Sequence, residues 1–221
     1  MHDALERIIG VAPKLSVAGR TDAGVHASGQ VASFPAAMEL DLDRVQRALN
    51  RMLAPEVVVR TARAAPSGFN ARRSATGREY VYRIHAGAVP DPFTARYTWH
   101  RPGPLRLAAM RRAARLLIGE HDFASFCRAP GAPASTRRTL RRLAVSAGGE
   151  EIRLRAAADG FLHQMVRSLT GTLVAVGEGL IAAESMPGIL AARSRSAAGQ
   201  VAPPQGLALV RVAYGRRAVP A

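Results

Sequence analysis

With 221 residues, the chain is long enough for one large domain or two small ones, and 48% hydrophobic residues supply the material of a core. Its 31 basic residues against 16 acidic ones leave a formal charge of +15, which favours a polyanionic partner, nucleic acid ahead of an anionic membrane surface. No apolar run approaches the ~20 residues that span a bilayer, residues 1–10 do not read as a signal peptide, and the single Cys127 excludes an internal disulfide and fits a reducing cytoplasm.

In chain order, the first half reads as a helix at 4–9, strands at 14–18 and 30–34, a helix at 42–53 with Asp41 as its N-cap, and a strand at 56–64. Ala65-Pro66-Ser67-Gly68 follows as a boundary. The second half reads as a strand at 80–85 and a helix at 105–117, with apolar or small residues at Leu105, Ala109, Ala113 and Leu116 and with Gly119 closing it. Strands at 139–145 and 152–157 then form a hairpin through Gly148-Gly149. A helix at 161–176 carries Leu162, Met165, Val166, Leu169 and Leu173 at helical spacing; a short helix at 186–192 and a strand at 207–212 complete the order.

That order, β-α-β-β-α-β, is a ferredoxin-like unit. The first half is the same unit without its opening strand. The expectation is an α+β fold of two such units, residues 1–68 and 69–221. Pro90-Asp91-Pro92 and residues 129–135 read as loops, and Arg137, Arg138, Arg141 and Arg142 follow the second of them. Such a charge run is usually a solvated face; on a chain this basic, phosphate contact weighs as much. All basic residues but Lys14 are arginine and alanine is abundant, a pattern that coding bias explains, so the charge excess carries the signal rather than the choice of arginine.

Residues 19–34, GRTDAGVHASGQVASF, place Asp22 in a bend rich in glycine between two strands. Gly19, Gly24 and Gly29 permit tight bending and the close approach of another molecule. Read alone, Asp22 is as much a turn residue bonding nearby backbone N–H groups as a reactive carboxylate. Cys127 reads as a half-buried structural thiol rather than a nucleophile. The six histidines, His26, His85 and His163 among them, are scattered and read as structural or as RNA contacts. The sequence has no GxxxxGK phosphate loop, no GxGxxG after a strand and no cluster of metal ligands.

The order Gly-Arg-Thr-Asp-Ala-Gly-Val-His at 19–26 resembles the signature of the TruA family of tRNA pseudouridine synthases. The resemblance continues through Gly29-Gln30-Val31, Phe69-Asn70-Ala71-Arg72, Arg78-Glu79-Tyr80-Val81-Tyr82, residues 117–123 (LIGEHDF), residues 160–167 (GFLHQMVR) and residues 202–207 (APPQGL). It implies a pseudouridine-synthase fold, with a mostly antiparallel sheet and a central cleft, and isomerisation of uridine to pseudouridine in the tRNA anticodon arm, around positions 38 to 40, without cofactor or metal. Asp22 matches the family's catalytic aspartate, Arg167 the arginine that pairs with it, and Tyr80 the active-site tyrosine that stacks on uracil and assists loss of the C5 proton. Arg20, which matches the residue that fills the place of the flipped base, is implied to bind substrate with Thr21, His26, Arg72 and Tyr80. The resemblance also implies a homodimer.

Ser168, in place of a common asparagine, and Asp159-Gly160 depart from the family pattern. The family usually begins with a strand carrying Tyr-Asp-Gly and Gly-Trp-Gln segments, so a preceding strand is expected to be missing here, which would leave an exposed sheet edge. Two other functions share parts of the pattern. A tRNA-binding fragment without chemistry would share the charge, and a carboxylate-based phosphohydrolase would share the Asp in a glycine loop, though it would want metal ligands that the sequence does not cluster.

Overall fold

A computed structural model describes residues 1–36, 39–128 and 135–215. The elements are α1 (His2–Ile9), β1 (Ser16–Val17), β2 (His26–Ala27), β3 (Ala32–Ser33), α2 (Leu42–Leu53), β4 (Ala75–His85), β5 (Trp99–His100), α3 (Leu107–Leu116), β6 (Gly119–Asp122), β7 (Arg137–Gly148), β8 (Glu151–Ala158), α4 (Met165–Glu178), α5 (Met186–Ala192) and β9 (Leu207–Tyr214). They form two compact units: one comprises Met1–Gly19, Val31–Ala75 and the chain from Tyr214, the other Arg20–Gln30 and Thr76–Ala213. The loop that carries Asp22 thus groups with the second unit, whereas the sequence reading keeps it within residues 1–68. Most of the expected loop at 129–135 lies outside the described residues.

In the first unit, α2 forms where apolar side chains recur with a four-residue spacing. Asp41 caps it, its Oδ1 accepting from the Arg44 N–H at 2.9 Å. Val45 and Leu49 bury against Ala4 and Leu5 of α1, with Leu15, Phe34 and Leu53 packed around them. β1 and β3 pair antiparallel, Ser16 opposite Ser33. The strand expected at 56–64 does not form. Its backbone groups go to side chains of α2 instead: Asn50 accepts from the Val59 N–H at 2.6 Å and donates to the Val59 carbonyl at 2.9 Å, while Gln46 donates to the Val59 and Arg60 carbonyls. Two amides satisfy here what a neighbouring strand would otherwise have to.

The second unit holds a mixed sheet in the order β2-β9-β4-β8-β7-β6, with β5 also paired to β4. β4 with β8, β8 with β7 and β7 with β6 are antiparallel; β2 with β9 and β5 with β4 are parallel. Alternation selects the buried face: Ile152, Leu154, Ala156 and Ala158 of β8 lie in the core, whereas Arg153 and Arg155 are exposed. Tyr82, Ile84, Leu140 and Leu209 join them, covered by Met110 and Ala113 of α3 and by Leu169 and Leu173 of α4. On α3 the core face runs through Met110, Ala113 and Ala114; Leu116, expected on that face, is exposed. Gly119, expected only to stop the helix, also opens β6. A bulge between Leu140 and Arg142 leaves Arg141 and Arg142 both exposed on β7. Among the described residues no helix is long and apolar enough to cross a membrane.

Candidate active site

The loop at 20–30 is fastened to β9 by backbone bonds. β2 runs parallel to it, His26 opposite Ala208, and the N–H groups of Ser28 and Gly29 both donate to the Leu209 carbonyl at 2.9 and 3.0 Å. Gly29 is required by this approach, since a Cβ there would lie 2.2 Å from the Val210 carbonyl oxygen. Five residues earlier, Gly24 turns the chain with φ 80°, and the Asp22 carbonyl accepts from the Val25 N–H at 3.0 Å. The turn leaves the carboxylate of Asp22 facing the start of α4.

Arg167, in the first turn of α4, donates from Nη1 to Asp22 Oδ2 at 2.7 Å. The arginine is itself fixed at both ends, with Nε donating to the Ala202 carbonyl at 2.8 Å and its own carbonyl accepting from the Ala202 N–H at 3.1 Å. Its side chain is 12% exposed and that of Asp22 25%, so the pair is shielded from water without being sealed off. The charge-assisted bond from the guanidinium fixes this carboxylate and sets a positive charge against its negative one.

Tyr80 of β4 lies in the same unit, its ring edge-on to Phe161 at 5.2 Å between centroids. Burial holds its phenol above the ordinary value; the charge of Arg78 lowers it and the charge of Asp22 raises it further. Two residues on, Tyr82 belongs to the core, its hydroxyl donating to the Pro203 carbonyl at 2.7 Å. Arg167 is thus bonded to Asp22, and Tyr80 lies near enough for the Asp22 charge to act on its phenol. A fourth residue joins them: His163 Nε2 lies 3.4 Å from Asp22 Oδ1. In the sequence His163 falls inside the 160–167 motif but reads as one of the scattered histidines, structural or an RNA contact, with no role at Asp22. Its place in the same 160–167 motif as Arg167 is the signal that could have found it.

Arg20 and Thr21 directly precede Asp22 and are exposed. His26 turns to the 87–97 loop, its Nε2 2.9 Å from the Arg96 carbonyl and its ring 4.7 Å from that of Tyr97. Arg72 belongs to the first unit, where its N–H donates to Asn70 Oδ1 at 3.0 Å. Cys127 is buried, and burial raises its thiol, which accords with a structural role. Ser168 is fully buried and its hydroxyl finds no hydrogen-bond partner among the described residues. Asp159 accepts from the N–H groups of Thr139 and Gly160, tying the end of β8 to β7. Among the described residues no group of three or more His, Cys, Asp or Glu side chains is placed to hold a metal ion.

Residues 113–215 match the family model of tRNA pseudouridine synthase. Similarity extends over nearly the whole chain in individual relatives. The tRNA pseudouridine synthase A of Moorella thermoacetica is 44% identical over 96% of this chain and 86% of its own length. That of Geobacter sulfurreducens is 43% identical over 97% of this chain and 88% of its own, and that of Mesorhizobium japonicum 44% identical over the same shares.

Proposed function

Because the chain belongs to the tRNA pseudouridine synthase A family, we propose that it isomerises uridine to pseudouridine in tRNA with Asp22 as the nucleophile. The observation that carries this reading is the 2.7 Å bond from the shielded Arg167 to the Asp22 carboxylate. The relatives support the substrate class, and that pair and its neighbours support the residue roles.

In the reaction, a carboxylate oxygen of Asp22 adds either to C6 of the base or to C1′ of the sugar. The N1–C1′ bond breaks, the uracil turns, C5 bonds to C1′, the bond to Asp22 breaks and restores its carboxylate, the C5 proton leaves and N1 takes one up. Atoms and oxidation states balance, so neither an oxidant nor an energy source is consumed. Arg167 supports the step by setting its charge against that of the Asp22 carboxylate and by limiting the carboxylate's motion. Tyr80 supplies the flat wall on which uracil stacks. A phenol is already protonated at neutral pH and burial raises that of Tyr80 further, so Tyr80 acts as a proton relay, accepting the C5 proton as it passes its own to water, rather than as a preformed base. Arg20, exposed beside Asp22, is suited to take the place of a base that has left the stack.

The reading names uridines of the anticodon arm, around positions 38 to 40, as the targets, a homodimer as the active form, and the cytoplasm as its location. It also takes the second unit as ferredoxin-like, which is supported by the order β9-β4-β8-β7 with α3 and α4 packed on one face of those strands.

Asp22→Asn tests the central claim, because the amide keeps the shape and removes the nucleophile. Single turnover on a tRNA transcript is expected to fall to background, while tRNA affinity, carried chiefly by phosphate contacts, stays within a few-fold. Turnover near the wild-type rate would remove Asp22 from the mechanism. Mapping pseudouridine in the product identifies the uridines, and light scattering tests the dimer.

A further inference from the structure

The two oxygens of Asp22 are held unequally. Oδ2 takes the single Nη1 bond from Arg167, whose Nε is committed to the Ala202 carbonyl. A carboxylate held at one oxygen by one donor still swings about that bond, so its second oxygen is not fixed in space. That second oxygen, Oδ1, has His163 Nε2 at 3.4 Å.

We propose that His163 is a positioning residue for the nucleophile, fixing the Asp22 oxygen that Arg167 leaves free. The inference rests on the reading of Asp22 as the nucleophile and adds a residue to it. Local backbone geometry favours the role. Gln164 adopts φ 59°, which delays the start of α4 to Met165 and leaves His163 outside the helix, where its ring turns toward the loop at 20–30. The His163 carbonyl accepts from the Arg128 N–H at 3.1 Å, which anchors the residue from the other side. Its side chain is 52% exposed, a burial more typical of a group meeting an incoming ligand than of a core histidine.

The 3.4 Å separation is longer than a strong hydrogen bond, as catalytic contacts often are before substrate binds and excludes water. Either protonation state has a donor to offer: neutral imidazole can present one N–H, and imidazolium adds charge. With both oxygens held, the carboxylate plane is set and an oxygen lone pair is aimed at the base instead of sweeping an arc.

The test compares His163→Met with His163→Gln, two flexible side chains of similar length of which only the second carries a donor. Single-turnover rate and tRNA affinity are measured for each, with Asp22→Asn alongside. His163→Met is expected to slow the single-turnover step by on the order of tenfold to a hundredfold, the scale of a misplaced reacting group, with tRNA affinity within about twofold of wild type. His163→Gln is expected to recover most of that rate. A wild-type rate in His163→Met, equal slowing in both variants, or a loss confined to affinity would each overturn the proposal, the last making His163 an RNA contact. If Asp22→Asn still turns over, the reading of the nucleophile fails instead. An inactive Asp22→Asn beside a fully active His163→Met would sink this inference alone. Because His163 is half exposed, both variants are expected to fold, which melting curves check.

Discussion

A Cβ placed on Gly171 of α4 would lie 1.8 Å from the carbonyl oxygen of Gln200. The helix and the 199–202 segment therefore touch backbone to backbone, an approach that the Gly199 N–H reinforces by donating to Thr172 Oγ1 at 3.0 Å. Two residues further along that segment, the Ala202 carbonyl receives the Nε of Arg167. Packing at Gly171 and geometry at Asp22 are thus linked through one short stretch of chain.

Gly171→Ala is expected to act at both levels. The obstacle is backbone rather than the flexible end of a side chain, so the segment must shift, at about 1–3 kcal/mol for overpacking. The same shift moves the anchor of Arg167, and a displacement on the order of 1 Å at a reacting group costs up to roughly a hundredfold in rate. A melting curve and a single-turnover assay on the same preparation check this. Lower stability with an unchanged rate would show that the Ala202 anchor absorbs the movement.

Arg167→Lys separates charge from shape. Lysine keeps the positive charge but has one nitrogen, which cannot bond the Ala202 carbonyl and Asp22 in the places that Nε and Nη1 occupy. The variant is expected to bind tRNA within a few-fold of wild type and to lose on the order of a hundredfold in the chemical step. A lysine variant with the wild-type single-turnover rate would show that charge alone suffices.

What the sequence disclosed depended on whether the stabilising partner was near in the chain. α2 was legible to the residue because Asp41 and the repeat through Val45 and Leu49 are local, and α5 likewise. The β7–β8 hairpin was legible from its turn glycines. β2 and β5 were not, since each is two residues long and exists only by pairing with a strand far along the chain, β9 or β4. Residues 56–64 carry a strand-like composition, yet side chains of α2 take their hydrogen bonds, a choice that no periodicity reveals. At the site, Asp22, Arg167 and Tyr80 stood out through their motifs. His163 shares the 160–167 motif but gained no role at Asp22, because reading 161–176 as one helix hid the positive φ of Gln164 that releases it.

The arginines of β7 are not equivalent, and salt dependence should show it. Arg137 pairs with Glu120 at 2.9 Å, so part of its charge is already answered, whereas the bulge turns Arg142 out to solvent. If this strand meets RNA, removing one phosphate-binding charge flattens the slope of log affinity against log salt by about 0.7 to 0.9. Arg142→Glu is expected to flatten it by about that amount or more, and Arg137→Glu by less. Titrating tRNA binding over a range of salt concentrations checks both, and slopes identical to wild type would make the run a solvated face.

Alkaline pH should weaken the fold through Tyr82. Burial holds its phenol well above the ordinary value, with the charge of Arg167 pulling the other way. In the unfolded chain a tyrosine ionises near pH ~10, whereas in the folded protein Tyr82 keeps its proton beyond that point. Unfolding above about pH 10 therefore releases a proton, so the stabilising contribution is intact below that pH and declines as pH rises toward the folded value. Tyr80, also raised chiefly by burial, acts in the same direction. Tyr82→Phe cannot ionise. It forfeits the bond to the Pro203 carbonyl, about 1 kcal/mol at neutral pH, and should then lose less stability than wild type on going to alkaline conditions. Urea unfolding at about pH 8 and about pH 11, on either side of the tyrosine's unfolded value, decides the matter. A parallel fall in both proteins would locate the alkaline sensitivity in another group, Tyr80 first among them.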